Sequence, residues 1–274
     1  MSATHDPWGT HDYDIDAYLD AIGVGRESPG LDYLERLHHA HVHAFPFTNL
    51  NVLLGPHPGV SPAVVQDQLL SLRRGGYCFE HAQIFAAVLE RLGFTVVRRL
   101  GRVFGPSNGR THMVVLVELD GAWYFNDPAF SFSITGPLPL RDGASREAAG
   151  RTFRLVRGTV EEVTTWTLER DAQLQHITDS LPVVPADVHG GHHLTSTLPG
   201  ALFTRTFVAS RWVEDSNVIV THQSRTVRRA GHQTQYEELS PADAVDAARE
   251  LGIPIAPEET ERLARIVERF RREE

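Results

Sequence analysis

The chain has 274 residues, 41% hydrophobic and 22% charged, with 26 basic and 35 acidic residues and a formal net charge of −9. This is the composition of a globular protein long enough to bury a large core, and an acidic chain with no basic run excludes a general nucleic-acid binder. Every basic residue is Arg and Cys78 is the single cysteine, which excludes Schiff-base chemistry, a P-loop Lys, an intrachain disulfide and a Cys-based zinc finger.

In chain order, the start from Met1 to Trp8 has neither a basic n-region nor an apolar h-region. No apolar run approaches the ~20 residues that span a bilayer. The expectation is a cytoplasmic protein with a reduced thiol and no membrane partner. Residues 12–92 read as helical. Leu31, Leu34 and Leu37 recur at helical spacing, and Ser61-Pro62 opens a second helix as N-cap and first helical residue. Phe79 to Leu92 forms a third, with Ile84, Phe85, Val88, Leu89 and Leu92 on one face and Gly93 as its stop.

The period then changes. Phe94–Phe104 reads as a strand, and Met113–Leu119 and Ala122–Phe125 flank Asp120-Gly121, a strong hairpin signal. Strands follow at 151–157, 163–168, 202–213 and 217–221, with a loop-rich stretch at 171–200. Ser240-Pro241 starts a helix through Leu251, and Leu263, Ile266, Val267 and Phe270 mark a last one. Helices, then strands, then a mixed end describe an α+β fold.

The chemistry gathers at Arg73-Arg74-Gly75-Gly76-Tyr77-Cys78-Phe79-Glu80. Two glycines let the backbone turn sharply. A helix N-terminus at Cys78 favours thiolate and offers N–H groups to an oxyanion. By itself this segment fits a nucleophile or a buried structural cysteine equally well. The hairpin supplies the partners. A two-residue turn at Asp120-Gly121 makes paired positions sum to 241, so His112 faces Ala129, and Asp127 is its diagonal neighbour on the same face, ~7–8 Å away at the backbone. A base with an orienting carboxylate completes a nucleophile–base–orienter set of Cys78, His112 and Asp127.

The segment 74–80, Thr111-His112 opening a Val-rich strand, Asp127 fifteen residues on, Pro46-Phe47-Thr48-Asn49-Leu50 and Leu92-Gly93-Phe94 together resemble the arylamine N-acetyltransferase family. The resemblance is good over residues 12–135 and weaker beyond. It implies a helical domain (1–93) carrying the Cys, a β-barrel-like domain (94–200) carrying the His and Asp, and an α/β lid (201–274), around a Cys-His-Asp core similar to those of transglutaminases and papain-like proteases. It also implies acetyl transfer from acetyl-CoA, a co-substrate and not a resident cofactor, through an acyl-Cys to an arylamine, hydrazine or hydroxylamine. No metal is needed. Phe47, Phe130, Tyr77 and Gly76 are then expected at the substrate, and Gly105, Gly109 and Thr111 near CoA.

Two departures stand out. Pro128-Ala129-Phe130-Ser131 replaces the family's Val-Gly-Phe-Gly, and Thr48 replaces a Glu that would pair with Arg74. A reshaped acceptor wall also suits the related amide synthases, which take a polyketide chain from an acyl carrier protein. A Cys hydrolase with the same triad is a further alternative. The histidines at 38, 39, 41 and 43, and at 189, 192 and 193, read better as solvated or core-edge groups than as metal ligands. Arg98, Arg99, Arg102 and Arg110 could hold phosphates or simply decorate exposed strands.

Overall fold

The computed structural model describes residues 6–272; Met1–His5, part of the start read above for a leader, lie outside the described residues. The first third is helical, as the periodicity predicts: α1 (Ile15–Ile22), α2 (Leu31–Ala44), the two-residue strand β1 (Phe47–Thr48), the short α3 (Leu50–Leu53), α4 (Pro62–Gln66) and α5 (Cys78–Arg91). Pro62 sits at the start of α4, while Ser61 makes no side-chain cap bond. A π-helical turn at Asp67–Ser71 prolongs α4. In α5, Ile84, Phe85, Val88 and Leu89 are buried. The helix stops at Gly93, which adopts φ 94° while its N–H donates to the Glu90 carbonyl.

Eight strands follow: β2 (Thr95–Val103), β3 (Arg110–Leu119), β4 (Ala122–Asn126), β5 (Leu138–Pro139), β6 (Ser145–Ala148), β7 (Arg151–Val160), β8 (Val163–Arg170) and β9 (Gln173–Asp179). They form one antiparallel sheet in the order β5-β4-β3-β2-β9-β8-β7-β6. Val114, Leu116, Phe125, Phe153, Leu155 and Leu168 meet in one core inside it, which makes it barrel-like. The alternation of β3 divides two cores. Met113, Val115 and Val117 pack with the helices, while Val114 and Leu116 point into the barrel-like core.

The stretch 171–200, expected as loop, is a correction: it contains β9 and a helix, α6 (Pro185–Thr197). Of the strand expected over 202–213, only β10 (Val208–Val213) is extended, after a 3-10 turn at Leu202–Thr204. β11 (Ser216–Thr221), β12 (Ser224–Arg229) and β13 (Gln235–Glu238) complete a second sheet in the order β1-β10-β11-β12-β13. α7 (Pro241–Glu250), capped by Ser240 accepting from the Asp243 N–H, and α8 (Pro257–Arg272) cover it. Helices beside a barrel-like sheet and a smaller mixed end confirm the α+β reading. β1 matters beyond its length: Phe47 pairs with Ser210 of β10 and bridges Gly76, tying the second sheet to the segment before Cys78. No helix among the described residues is long and apolar enough to cross a membrane.

Candidate active site

Cys78 is the first residue of α5, 4% exposed, with its thiol 3.5 Å from the Thr111 carbonyl. The glycines before it are required by the chain's own close approaches. Gly75 has φ 78°, and a Cβ there would stand 2.0 Å from the Pro46 carbonyl oxygen. A Cβ on Gly76 would meet the Glu80 side chain at 2.9 Å, and the Gly76 carbonyl accepts from the Thr48 N–H at 2.8 Å. The Glu80 carboxylate accepts from the Tyr77 N–H (3.2 Å) and from His57 Nε2 (2.9 Å), fixing the entry to the helix. The N–H groups of the first helical turn have no partner within the helix, which leaves them for an oxyanion beside the sulfur.

The hairpin forms as its turn predicts. Leu119 pairs with Ala122 and Val115 with Asn126, across Asp120 (φ 51°) and Gly121 (φ 79°). The ladder ends at Asn126, so His112 and Ala129 are not themselves paired; Asp127 leaves the strand and turns its carboxylate to His112. His112 Nε2 donates to Asp127 Oδ1 at 3.1 Å, both groups being fully buried. Nδ1 is the ring nitrogen left for the thiol, which lies close enough to favour the charged ring. Burial opposes protonation of His112, but the charge and hydrogen bond of Asp127, aided by Cys78, raise its pKa to about 10. Burial likewise opposes ionisation of Asp127, and the hydrogen bonds and charges of His112 and His176 overcome it, holding the carboxyl far below its usual range.

His176 of β9 was not singled out by the sequence. Its Nε2 donates to Asp127 Oδ2 at 3.1 Å and its Nδ1 accepts from the Thr178 hydroxyl at 3.3 Å. Burial, then the neighbouring His112 charge, lower its pKa, so it acts as a neutral donor. One ligand atom each of His112, Asp127 and His176 lies within 4.8 Å of the other two, a spacing the shared hydrogen bonds account for. His38 Nε2 reaches the Asp127 carbonyl at 3.3 Å. No spacing rule links positions 38 and 176 to 127; only the sheet and α2 bring them there.

The remaining expected residues separate. Phe130 sets its ring edge-on to His112, centroids 5.3 Å apart, and Phe47 stands against Phe203 at 5.9 Å. Tyr77 is 1% exposed, bonded through its hydroxyl to His192 Nδ1 and packed edge-on against Phe203. Thr111 offers its carbonyl to the Cys78 thiol. Gly105 and Gly109 lie in the β2–β3 loop, where Asn108 bonds back to Gly105 and Val103. Exposed Phe104 on that loop faces Phe130 at 6.2 Å. Arg98 leaves the set of phosphate candidates: it is 5% exposed and held by both oxygens of Glu90 at 2.6 and 2.9 Å. Arg110 pairs with Asp179 at 2.8 Å. His41 is core, linking the Tyr18 hydroxyl to His81. His189, His192 and His193, placed in a loop by the sequence, are helical. Ala129 and Ser131 need no positive φ, so losing the family's glycines strains nothing. Arg74, deprived of a Glu at position 48, is paired with Glu259 of α8.

This arrangement can activate a thiol, receive its proton and steady a developing oxyanion. Comparison with known proteins gives the chain's relatives. A family model described as N-acetyltransferase matches residues 30–255. The arylamine N-acetyltransferase of Mycolicibacterium smegmatis is 31% identical over 245 residues, spanning 85% of this chain and 89% of the relative. The structure of the Mycobacterium abscessus arylamine N-acetyltransferase superposes with a TM-score of 0.90 at 28% identity, over 98% of this chain and 99% of that one. The Mycobacterium marinum arylamine N-acetyltransferase solved in complex with CoA gives 0.83 at 30% identity, over 94% and 99%.

Proposed function

The chain belongs to the arylamine N-acetyltransferase family and is an N-acyltransferase with acetyl-CoA as co-substrate, and on that premise we propose that it acetylates aromatic amines through an acetyl-Cys78 thioester, with His112 as base and Asp127 as its orienting carboxylate. The observation that carries this reading is the buried His112–Asp127 pair at 3.1 Å beside the one cysteine. The proton that His112 carries is the one Cys78 gives up, and Asp127 stabilises the imidazolium. The thiolate attacks the acetyl carbonyl, the C–S bond to CoA breaks, and CoA leaves with the proton from His112. An arylamine, uncharged at neutral pH, then attacks the acetyl-Cys. His112 accepts the amine proton and returns it to the departing sulfur, so the products are CoA and the N-acetylarylamine. Phe47 and Phe130 are proposed as the acceptor's aromatic walls, and the β2–β3 loop with Gly105, Gly109 and Thr111 as the donor side. Tyr77 and Gly76 act by holding the nucleophile's segment. The division into residues 1–93, 94–200 and 201–274 and a cytoplasmic setting belong to the same reading.

Mass spectrometry of the intact protein after incubation with acetyl-CoA tests it: one acetyl adduct on Cys78, discharged by an aromatic amine, is expected. Cys78→Ala should abolish adduct and CoA release while remaining folded. An adduct elsewhere, or amine-independent CoA release at the full rate, overturns it. Pro128–Ser131, whose side chains stand where the family has glycines, favours one second reading, amide formation with a carrier-borne polyketide chain. Long-chain pantetheine thioesters in the same assay separate the two.

A further inference from the structure

A crevice lies near the triad, lined by none of its members but by residues that neighbour them in the chain or in space. Pro128, Ala129 and Phe130 follow Asp127; Phe130 also lies on the His112 ring; His81 is one turn beyond Cys78. Phe47, bridged to Gly76, forms the facing wall. The cavity volume is about 10 Å³, room for one water-sized group. Asn217 of β11 lines it and is 1% exposed. Its Nδ2 donates to the Ser131 carbonyl at 3.3 Å, which fixes the amide's orientation, and its Oδ1 is buried with no hydrogen-bond partner. Arg228, opposite it on β12, sets its guanidinium 5.4 Å over the Phe132 ring; its Nη1 is also buried without a partner, and it makes no hydrogen bond to the Asn217 oxygen. A buried acceptor left unpaired is destabilising, so a donor arriving there is favoured.

We infer that this crevice is a specificity subsite for a hydrogen-bond donor on the acceptor's aromatic ring, and that Asn217 accepts that bond. The preferred acceptor class is then the aminophenol: amine towards Cys78, ring between Phe47 and Phe130, hydroxyl on Asn217 Oδ1. The inference rests on the acetyl-transfer reading for the amine's orientation, but its test does not require turnover.

The experiment measures binding of 3- and 4-aminophenol against the corresponding toluidines, whose methyl group matches the hydroxyl in size and cannot donate. Calorimetry with the full chain should show about tenfold tighter binding of one aminophenol over its toluidine. Asn217→Leu should bring that ratio to about one, and Asn217→Asp, which keeps the acceptor, should retain it. Acetyl-adduct formation on Cys78 should be equal in all three proteins. Equal binding of aminophenols and toluidines by the wild type overturns the inference whether or not Asn217→Leu folds. So does a variant that weakens every acceptor alike, the result expected if internal water or Arg228 satisfies the amide. Loss of the adduct in the wild type with the binding preference intact would strike the transfer reading alone.

Discussion

Asp127 divides its two oxygens between two histidines in opposite states. His112, raised to about 10, carries the proton; His176, lowered by burial and by the His112 charge, stays neutral and donates to the other oxygen. The second bond fixes the carboxylate's rotation, and so the ring angle of His112, and it spreads the carboxylate's charge. Removing the donor leaves a buried oxygen unpaired and makes Asp127 a stronger acceptor for His112. His176→Phe is therefore expected to slow Cys78 acylation roughly ten- to hundredfold. It should also move the alkaline limb of the pH profile for Cys78 alkylation upward. His176→Gln, with an N–H in reach of the same oxygen, should recover most of the rate. An unchanged profile in His176→Phe would leave that residue a packing role only.

At the level of elements, the site hangs on two short connections that read very differently in the sequence. The Asp120-Gly121 hairpin was legible because a two-residue turn with both φ values positive fixes register by geometry alone. β9 was not legible: Gln175, His176 and Thr178 are buried polar residues, the last two bonded in a chain to Asp127, so the apolar alternation marking a strand is missing. α6 was hidden by its glycines. Gly191 is there because a Cβ would stand 2.8 Å from both the Arg110 carbonyl and the Phe79 ring, a tertiary demand that overrides helix propensity. The link from α8 to the segment before Cys78 could not be read either, since Arg74 and Glu259 lie 185 residues apart. Burial raises the Glu259 pKa, but its bonds to Arg74 and the Ala256 N–H lower it overall. That contribution is present above the ordinary Glu value and is lost as pH falls below it. Glu259→Gln is expected to cost about 1 kcal/mol, a Tm decrease of about 2–4 °C near neutral pH that shrinks towards pH 4. Acylation of Cys78 should slow at the same time as the loop loosens. A Tm loss with acylation untouched would confine the pair to stability.

Across the whole molecule, the buried histidines set the pH range in which the fold is stable. Burial is the leading cause in each of His38, His81 and His192, all held near 4, and His41 lies well below its ordinary value. Each must stay neutral in the fold, whereas the unfolded chain protonates it near 6.5. Between about 6.5 and 4 the unfolded state thus binds more protons, and stability falls as pH falls. His112 has the opposite sign. Its raised pKa contributes stability that is complete below about 6.5 and is lost as pH climbs towards about 10. The two limbs differ in proton count, several on the acid side against one on the alkaline side, and each proton is worth about 1.4 kcal/mol per pH unit. Urea unfolding at fixed temperature should therefore show maximal stability near pH 6.5, a steep acid limb and a shallow alkaline one. His112→Gln should flatten the alkaline limb and leave the acid limb's slope intact. An acid slope of less than one proton would mean that these histidines are solvated and charged in the folded state, and the sheltered neutral networks around α2 and α5 would have to be redrawn.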